Sequence, residues 1–102
     1  LEVLCAEDGE QARHFLNDHD FDAAVLDIHS RLRSGFELLE DIRHDDRKTA
    51  MKVILLSSQR GEEDEIKAFR LGAHDYVVKP FSPRVLVERL LRFLPSPTSE
   101  EE

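Results

Sequence analysis

A chain of 102 residues is long enough for one domain with one hydrophobic core. Its formal net charge of −8 argues against nucleic-acid binding by this domain itself, because phosphate contacts need a basic face. The single cysteine excludes an intrachain disulfide, and no apolar run reaches membrane-spanning length, so we expect a cytoplasmic protein with no membrane contact.

Short apolar runs predict four β-strands, at residues 1–6, 21–27, 51–57 and 75–79. Each run is almost continuously apolar, which is typical of strands buried on both faces of a parallel sheet. The run at 1–6 should lead into a turn at 7–9, and the run at 21–27 into a loop at 29–35.

Amphipathic helices are predicted after each of these strands. Asp8, Ser34 and Ser82 stand where helix N-caps belong, and Pro83 suits a first helical position. Gly72 and Pro95 are predicted to end the last two helices. The residues expected on the buried helix faces are Ala12, Phe15, Leu16, Phe36, Leu39, Ile42, Ile66, Phe69, Leu86, Leu90, Phe93 and Leu94.

Strand–helix alternation over four repeats predicts an α/β fold with a doubly wound parallel sheet. Residues 1–94 form the predicted domain, and 95–102 read as a flexible, solvated linker or tail.

Polar residues at three strand ends predict a common site. Asp27, Ser57 and Lys79 each end an apolar run, and the carboxyl ends of parallel strands meet at one edge of the sheet. Taken singly, they could be a solvated carboxylate, a hydroxyl that satisfies the backbone and a surface ammonium. Ser58 is the alternative hydroxyl if the register differs by one residue.

The joint spacing resembles the receiver domain of two-component response regulators. Ser57 follows Asp27 by 30 residues and Lys79 follows it by 52, within a Lys-Pro-Phe motif like the family's. The loop glycine Gly35, the Asp8-Gly9 turn and the Gly-Ala-His-Asp-Tyr run at 72–76 also resemble it.

That resemblance implies a flavodoxin-like, chemotaxis-regulator-like fold and a phosphorylation switch. It implies that a histidine kinase or phosphotransfer protein phosphorylates Asp27, that Ser57 and Lys79 bind the phosphoryl group, and that Tyr76 is the switch aromatic. It also implies Mg²⁺ bound by Asp27 and the His29 backbone carbonyl. Further implied neighbours of the phosphate are the His29 and Gln59 side chains, which would tune dephosphorylation, and Pro80, in a candidate cis peptide with Lys79.

Two departures from the family are visible. Its first strand, which ends in an acidic pair, and its first helix have no counterpart, so the four strands here correspond to its second to fifth. The absent strand is central in the family, which predicts an unpaired gap in the sheet and weak or absent Mg²⁺ binding by this chain. Ser30-Arg31 also replaces the family's Met-Pro after the phosphoacceptor.

A mixed-charge face could serve as a homodimer surface, by resemblance to regulators of the winged-helix class, or could be an ordinary solvated face. Its residues are Lys67, Arg70, Asp75, Arg84, Glu88, Arg89 and Arg92. The five histidines show no metal-ligand spacing and are predicted to lie at the surface.

Two functions remain in competition at this point. One is a phosphorylation-dependent switch, and the other is a receiver-like interaction module that does not use phosphate. A nucleotide-binding enzyme is disfavoured because no Gly-rich phosphate loop follows a strand. We therefore expect no enzyme activity apart from catalysis of the domain's own phosphorylation and dephosphorylation.

Overall fold

A computed structural model describes residues 2–31, 33–48, 50–58 and 61–93. Strands and helices alternate along this part of the chain, with one short 3₁₀ turn at Asp46–Lys48. The elements are β1 (Val3–Asp8), α1 (Gly9–Asp18), β2 (Ala23–Arg31), α2 (Gly35–Arg43), β3 (Lys52–Ser57), α3 (Glu62–Arg70), β4 (Asp75–Val78) and α4 (Pro83–Leu91). None of the helices described is long and apolar enough to cross a membrane.

The four strands form one parallel sheet in the order β1-β2-β3-β4, which confirms the predicted α/β class. The predicted gap in the sheet is wrong. β1 pairs directly with β2, from Val3 opposite Ala23 to Ala6 opposite Leu26, with a register irregularity before Asp8. Direct pairing satisfies the backbone N–H and C=O groups that a gap would leave without partners.

The helices cover the two faces of the sheet unequally. On one face, α1, α2 and α3 contribute buried residues to the larger core cluster, among them Leu16, Leu39 and Ala68. On the other face, α4 packs over Val25, Ile54 and Val77; the helical residues that do so are Leu86 and Leu90, with Phe93 just beyond the helix. The inner strands β2 and β3 are therefore buried on both sides, as their continuous apolar runs predict, whereas β1 leaves Cys5 exposed.

Two of the three predicted N-cap side chains, and Gly72, fix helix ends at the predicted places. The Asp8 carboxylate accepts hydrogen bonds from the backbone N–H groups of the first turn of α1, and Ser34 Oγ accepts one from Glu37 N at 3.3 Å. Gly72 has φ +100° and ends α3 in a Schellman motif, with Gly72 N bonded to Phe69 O and the next residue's N to Ala68 O. Ser82 precedes Pro83 at the start of α4 but makes no side-chain cap.

The predicted buried faces of α1 and α3 need correction. Phe15 is 39% exposed, and Ile66 and Phe69 are 42% and 47% exposed, whereas Ala68 is fully buried. Because a helix turns roughly 100° per residue, Phe69 and Ile66 lie roughly 100° and 160° away from Ala68. The small Ala68 side chain is the one that faces the sheet, which turns both large residues outward.

Three predicted boundaries also differ. The turn at 7–9 is absent, because β1 continues to Asp8 and α1 begins at Gly9. The loop at 29–35 is shorter than predicted, because β2 continues to Arg31. The last helix ends at Leu91, and the predictions on Leu94, Pro95 and the tail at 95–102 lie outside the described residues.

Candidate functional site

The strand register places three of the predicted residues at the carboxyl edge of the sheet. Asp27 pairs with Leu56 on β3, and the next residue of β3, Ser57, pairs with Val78. Lys79 follows directly, and its backbone N–H donates to Ser57 O at 2.7 Å. Because neighbouring strands lie roughly 4.8 Å apart, this register brings all three backbones to one rim.

The Asp27 carboxylate and the Lys79 ammonium form a direct ion pair. Lys79 Nζ donates to Asp27 Oδ2, while the other carboxylate oxygen, Oδ1, accepts the His29 backbone N–H at 2.8 Å. The Asp27 side chain is 21% exposed and that of Lys79 39%. The carboxylate is thus fixed by two donors and still open to solvent.

Two opposing effects act on the pKa of Asp27, and their sum is a lowered value. Partial burial raises the pKa of this carboxyl group, whereas the hydrogen bond from Lys79, the His29 N–H and the nearby positive charge lower it further than burial raises it. Asp27 is therefore ionised at neutral pH, which is the form that can act as a nucleophile.

The hydroxyl candidates differ sharply in exposure. Ser57 is fully buried, whereas Ser58 is exposed. Side chains alternate along a strand, so Ser57 lies on the same face of β3 as Leu55, which pairs with Tyr76 on β4. Tyr76 is itself buried, at 8% exposure, within the larger core cluster. Tyr76, the predicted switch aromatic, therefore occupies the buried one of its two expected positions in this structure.

The start of α2 packs tightly behind Asp27. A Cβ atom added at Gly35 would lie 2.9 Å from Asp27 O and 3.1 Å from Ile28 Cα, closer than side chains are tolerated. Glycine is therefore required for the first residue of α2 to approach the end of β2, which accounts for the predicted loop glycine in physical terms.

The remaining predicted neighbours are spread around this rim. The Lys79–Pro80 peptide is cis, as the resemblance implies, and Pro80 is exposed. His29 is exposed, with its backbone rather than its ring in contact with Asp27. Gln59 lies outside the described residues.

The described residues do not fit a self-sufficient Mg²⁺ site. Among them there is no group of three or more Asp, Glu, His or Cys side chains able to hold a metal. Mg²⁺ takes octahedral oxygen ligands, usually from carboxylates and water. Asp27 would supply one carboxylate, which already accepts hydrogen bonds from Lys79 and His29.

Sequence reasoning missed a polar cluster at the opposite, amino-terminal edge of the sheet. There Arg43 contacts Gly72 O, Met51 O and His74 Nδ1; His74 is exposed, as predicted, but its contact with Arg43 was not predicted. The residues are up to 31 positions apart, so no local pattern points to the contact. Arg89 likewise forms an ion pair with Asp75, in which Nη1 contacts both carboxylate oxygens at 2.8 and 2.9 Å.

Fold and site together define a flavodoxin-like α/β protein with a carboxylate–lysine pair at the carboxyl edge of a parallel sheet. The model of the response regulator receiver domain family matches residues 1–91, and the chain therefore belongs to that family.

Solved structures of response regulators and their receiver domains resemble most of the chain. A putative response regulator from Chloroflexus aurantiacus is 28% identical, with a TM-score of 0.78 over 86% of this chain and 72% of that one. Chemotaxis protein CheY4 of Vibrio cholerae is 27% identical, with a TM-score of 0.78 over 87% and 74%. The BeF3-activated receiver domain of DrrB is 31% identical, with a TM-score of 0.74 over 89% and 93%.

A longer relative shows one context in which such a domain occurs. The response regulator DrrB of Thermotoga maritima, described as an OmpR/PhoB homolog, is 38% identical with a TM-score of 0.74. The match covers 84% of this chain but 38% of that one. Family and neighbours thus support a signalling domain of the phosphorylation type.

Proposed function

We propose that the chain is a phosphorylation-dependent switch in which Asp27 accepts a phosphoryl group from a histidine kinase or a phosphotransfer protein in the cytoplasm. The observation that carries the proposal is the pairing of an ionised, partly open carboxylate with the Lys79 ammonium at the sheet edge. A carboxylate that merely ended a strand and was solvated by water would not require an ammonium group in direct contact with it.

The transfer step is a displacement at phosphorus. An Asp27 carboxylate oxygen attacks the phosphorus of a phosphohistidine, the new P–O bond forms as the P–N bond breaks, and the imidazole leaves with the electron pair and takes a proton from water. Such transfers depend on positioning and charge neutralisation. Lys79 supplies positive charge beside the attacking carboxylate, and the Ser57 hydroxyl would donate to a phosphoryl oxygen.

Ser57 also gives a route from the phosphate to the core. Its side chain shares a face of the sheet with Tyr76, which is buried here. Movement of the hydroxyl toward the phosphoryl group would change the space beside the aromatic ring. Tyr76, α3 and α4 would then form the two-state element that partners read.

Reversal of the switch would be hydrolysis of the acyl phosphate. His29 is exposed two residues after Asp27, and Gln59 follows Ser57 at the same spacing. Both side chains are proposed to position or exclude the attacking water. The chain would thus catalyse its own dephosphorylation without being an enzyme that acts on other substrates.

Mg²⁺ binding by this chain is proposed to be weak, because the described residues contain no group of three or more metal-ligating side chains. A Mg²⁺ titration followed by the amide resonances of Asp27 and His29 tests this. Saturation only at high millimolar Mg²⁺, or none, is expected. Saturation in the micromolar range would show that other ligands complete the site.

We also propose a homodimer through α3, β4 and α4, held together by exposed apolar residues rather than by complementary charge. Of the seven residues of this face, Asp75 is neutralised within the chain by Arg89, and Lys67 lies over the Phe36 ring. The charges that remain on this face are the three cations Arg70, Arg84 and Arg92 and the single carboxylate of Glu88. Charge alone therefore does not favour association of two copies. Exposed apolar residues on both helices would supply the attraction; they are Ile66, Phe69, Val85, Val87 and Leu91.

The second candidate function is an interaction module that keeps the fold and does not use phosphate. The shortage of metal-ligating side chains among the described residues favours it. Under this alternative, the Asp27–Lys79 pair would be a structural ion pair that closes the edge of the sheet.

Titration with beryllium fluoride in Mg²⁺ buffer, read by amide NMR shifts, separates the two functions. Beryllium fluoride binds a carboxylate as a phosphoryl mimic, so the switch predicts saturable shifts at Asp27, Ser57 and Tyr76. Asp27→Asn should abolish them, while Asp20→Asn, which alters an exposed carboxylate between α1 and β2, should leave them unchanged. No saturable shift in the wild type would rule out the switch.

A further inference from the structure

Arg43 joins three segments at the amino-terminal edge of the sheet. Its Nε and Nη2 atoms donate to Gly72 O at 3.2 and 2.8 Å, and Nη1 donates to Met51 O at 3.2 Å. The guanidinium group of α2 thus binds the turn after α3 and the residue before β3. Burial of this group lowers the pKa of Arg43, but arginine stays charged in proteins.

His74 completes this cluster through one ring nitrogen. Its Nδ1 lies 3.2 Å from Val53 N and 3.3 Å from Arg43 Nη2, and its own backbone N–H donates to Val53 O at 2.8 Å. Backbone N–H and guanidinium groups can only donate. Nδ1 must therefore be the acceptor, and the ring is the neutral tautomer with its proton on Nε2.

The surroundings of the ring disfavour a charged imidazole. Arg43 faces it from α2 and Lys52 lies nearby on β3, both positively charged, while the Phe93 ring meets it edge-on at 5.6 Å between centroids. Partial burial of the ring, followed by the charges of Arg43 and Lys52, lowers the pKa of His74 below its ordinary value.

We propose that His74 makes the junction between α2, β3, β4 and the end of α4 sensitive to pH, through protonation at Nδ1. A proton on Nδ1 removes the acceptor for Val53 N–H and Arg43 Nη2 and places an imidazolium against two cations. The start of β4 then loses its side-chain tie to β3, and Phe93 loses its partner ring. This inference does not depend on phosphorylation of Asp27.

The sign of the pH effect follows from the neutral folded form. The folded state disfavours the proton, so the stabilisation is fully present above the unfolded histidine pKa of about 6.5 and is lost as pH falls through the lower folded-state value. The junction should thus loosen in mildly acidic solution.

The test is a pH titration of the isotopically labelled protein from 7.5 to 5. The Val53 amide and the Phe93 ring resonances should shift with the same midpoint as the His74 imidazole, and Val53 amide exchange should accelerate about tenfold beyond the ordinary pH dependence of exchange. Val53 and Phe93 resonances that stay fixed while His74 titrates would overturn the proposal.

Two variants make the result specific. His74→Asn keeps an acceptor oxygen near the Nδ1 position but does not titrate, so the coupled shift should vanish while the fold persists. His44→Asn removes an exposed histidine at the end of α2 and should leave the coupled shift intact. A coupled shift that persists in His74→Asn would assign the effect to another group.

Discussion

Replacing Lys79 by methionine tests the ion pair at the carboxyl edge of the sheet. Methionine keeps most of the aliphatic length and removes the ammonium group from Asp27 Oδ2. Because the Lys79 side chain is 39% exposed, solvent screens the pair, and its contribution is closer to that of a surface pair than of a buried one. We expect a loss of about 1 kcal/mol of unfolding free energy at pH 7.

The loss of unfolding free energy in Lys79→Met should depend on pH. Asp27 has a lowered pKa in the folded protein, so the stabilisation is present above the unfolded aspartate pKa of about 3.9 and is lost as pH falls through the folded-state value. In Lys79→Met the Asp27 pKa should rise above that of the wild type, because burial still raises it and the ammonium no longer lowers it. The difference in unfolding free energy between the wild type and Lys79→Met should therefore be smaller in acid than at pH 7.

Urea unfolding at pH 7 and pH 3.5 measures the effect. With a urea m-value of roughly 1.5 kcal/mol/M, the midpoint should fall by about 0.7 M at pH 7 and by less at pH 3.5. Arg84→Met, which removes an exposed cation on α4, is the matched control and should show no such narrowing between pH 7 and 3.5. An equal loss for Lys79→Met at both pH values would refute the ion-pair account.

Four other substitutions test the packing around the site and the helices. Gly35→Ala should lower the unfolding free energy by about 2 kcal/mol, seen as a lower melting temperature, because its Cβ would press on Asp27 O; an unchanged melting temperature would contradict the close approach. Ala68→Leu should cost about 1–3 kcal/mol by urea unfolding and Phe69→Ser less than about 0.5 kcal/mol, and the reverse order would mean that α3 is turned the other way. Ser57→Ala should change stability by about 1 kcal/mol or less yet weaken the amide response to beryllium fluoride, and a full response would remove Ser57 from the proposed site.

The site edge is readable from sequence because its residues end continuous apolar runs. Such runs identify buried parallel strands, and parallel strands bring their carboxyl ends to one rim. Asp27, Ser57 and Lys79 could therefore be placed together before their contacts were known. Their roles in phosphoryl transfer are predictions.

The order of the strands and the rotation of the helices about their axes were harder to predict from the sequence. Apolar periodicity marks a helix face but does not decide between Ala68 and its large neighbour Phe69, because packing against the sheet selects the small side chain. The pairing of β1 with β2 depends on which strand edges are free in the folded protein. Contacts such as Arg43 with His74 join residues far apart in sequence, where no local pattern exists.

The most direct test of the central claim is to locate the phosphate after incubation with a phosphohistidine donor, with and without Mg²⁺. The account predicts an acid-stable, alkali-labile acyl phosphate that borohydride reduction and peptide mass spectrometry place on Asp27, and its loss in Asp27→Asn but not in Asp20→Asn. No phosphate on the wild type under either condition, or phosphate retained by Asp27→Asn, would contradict it.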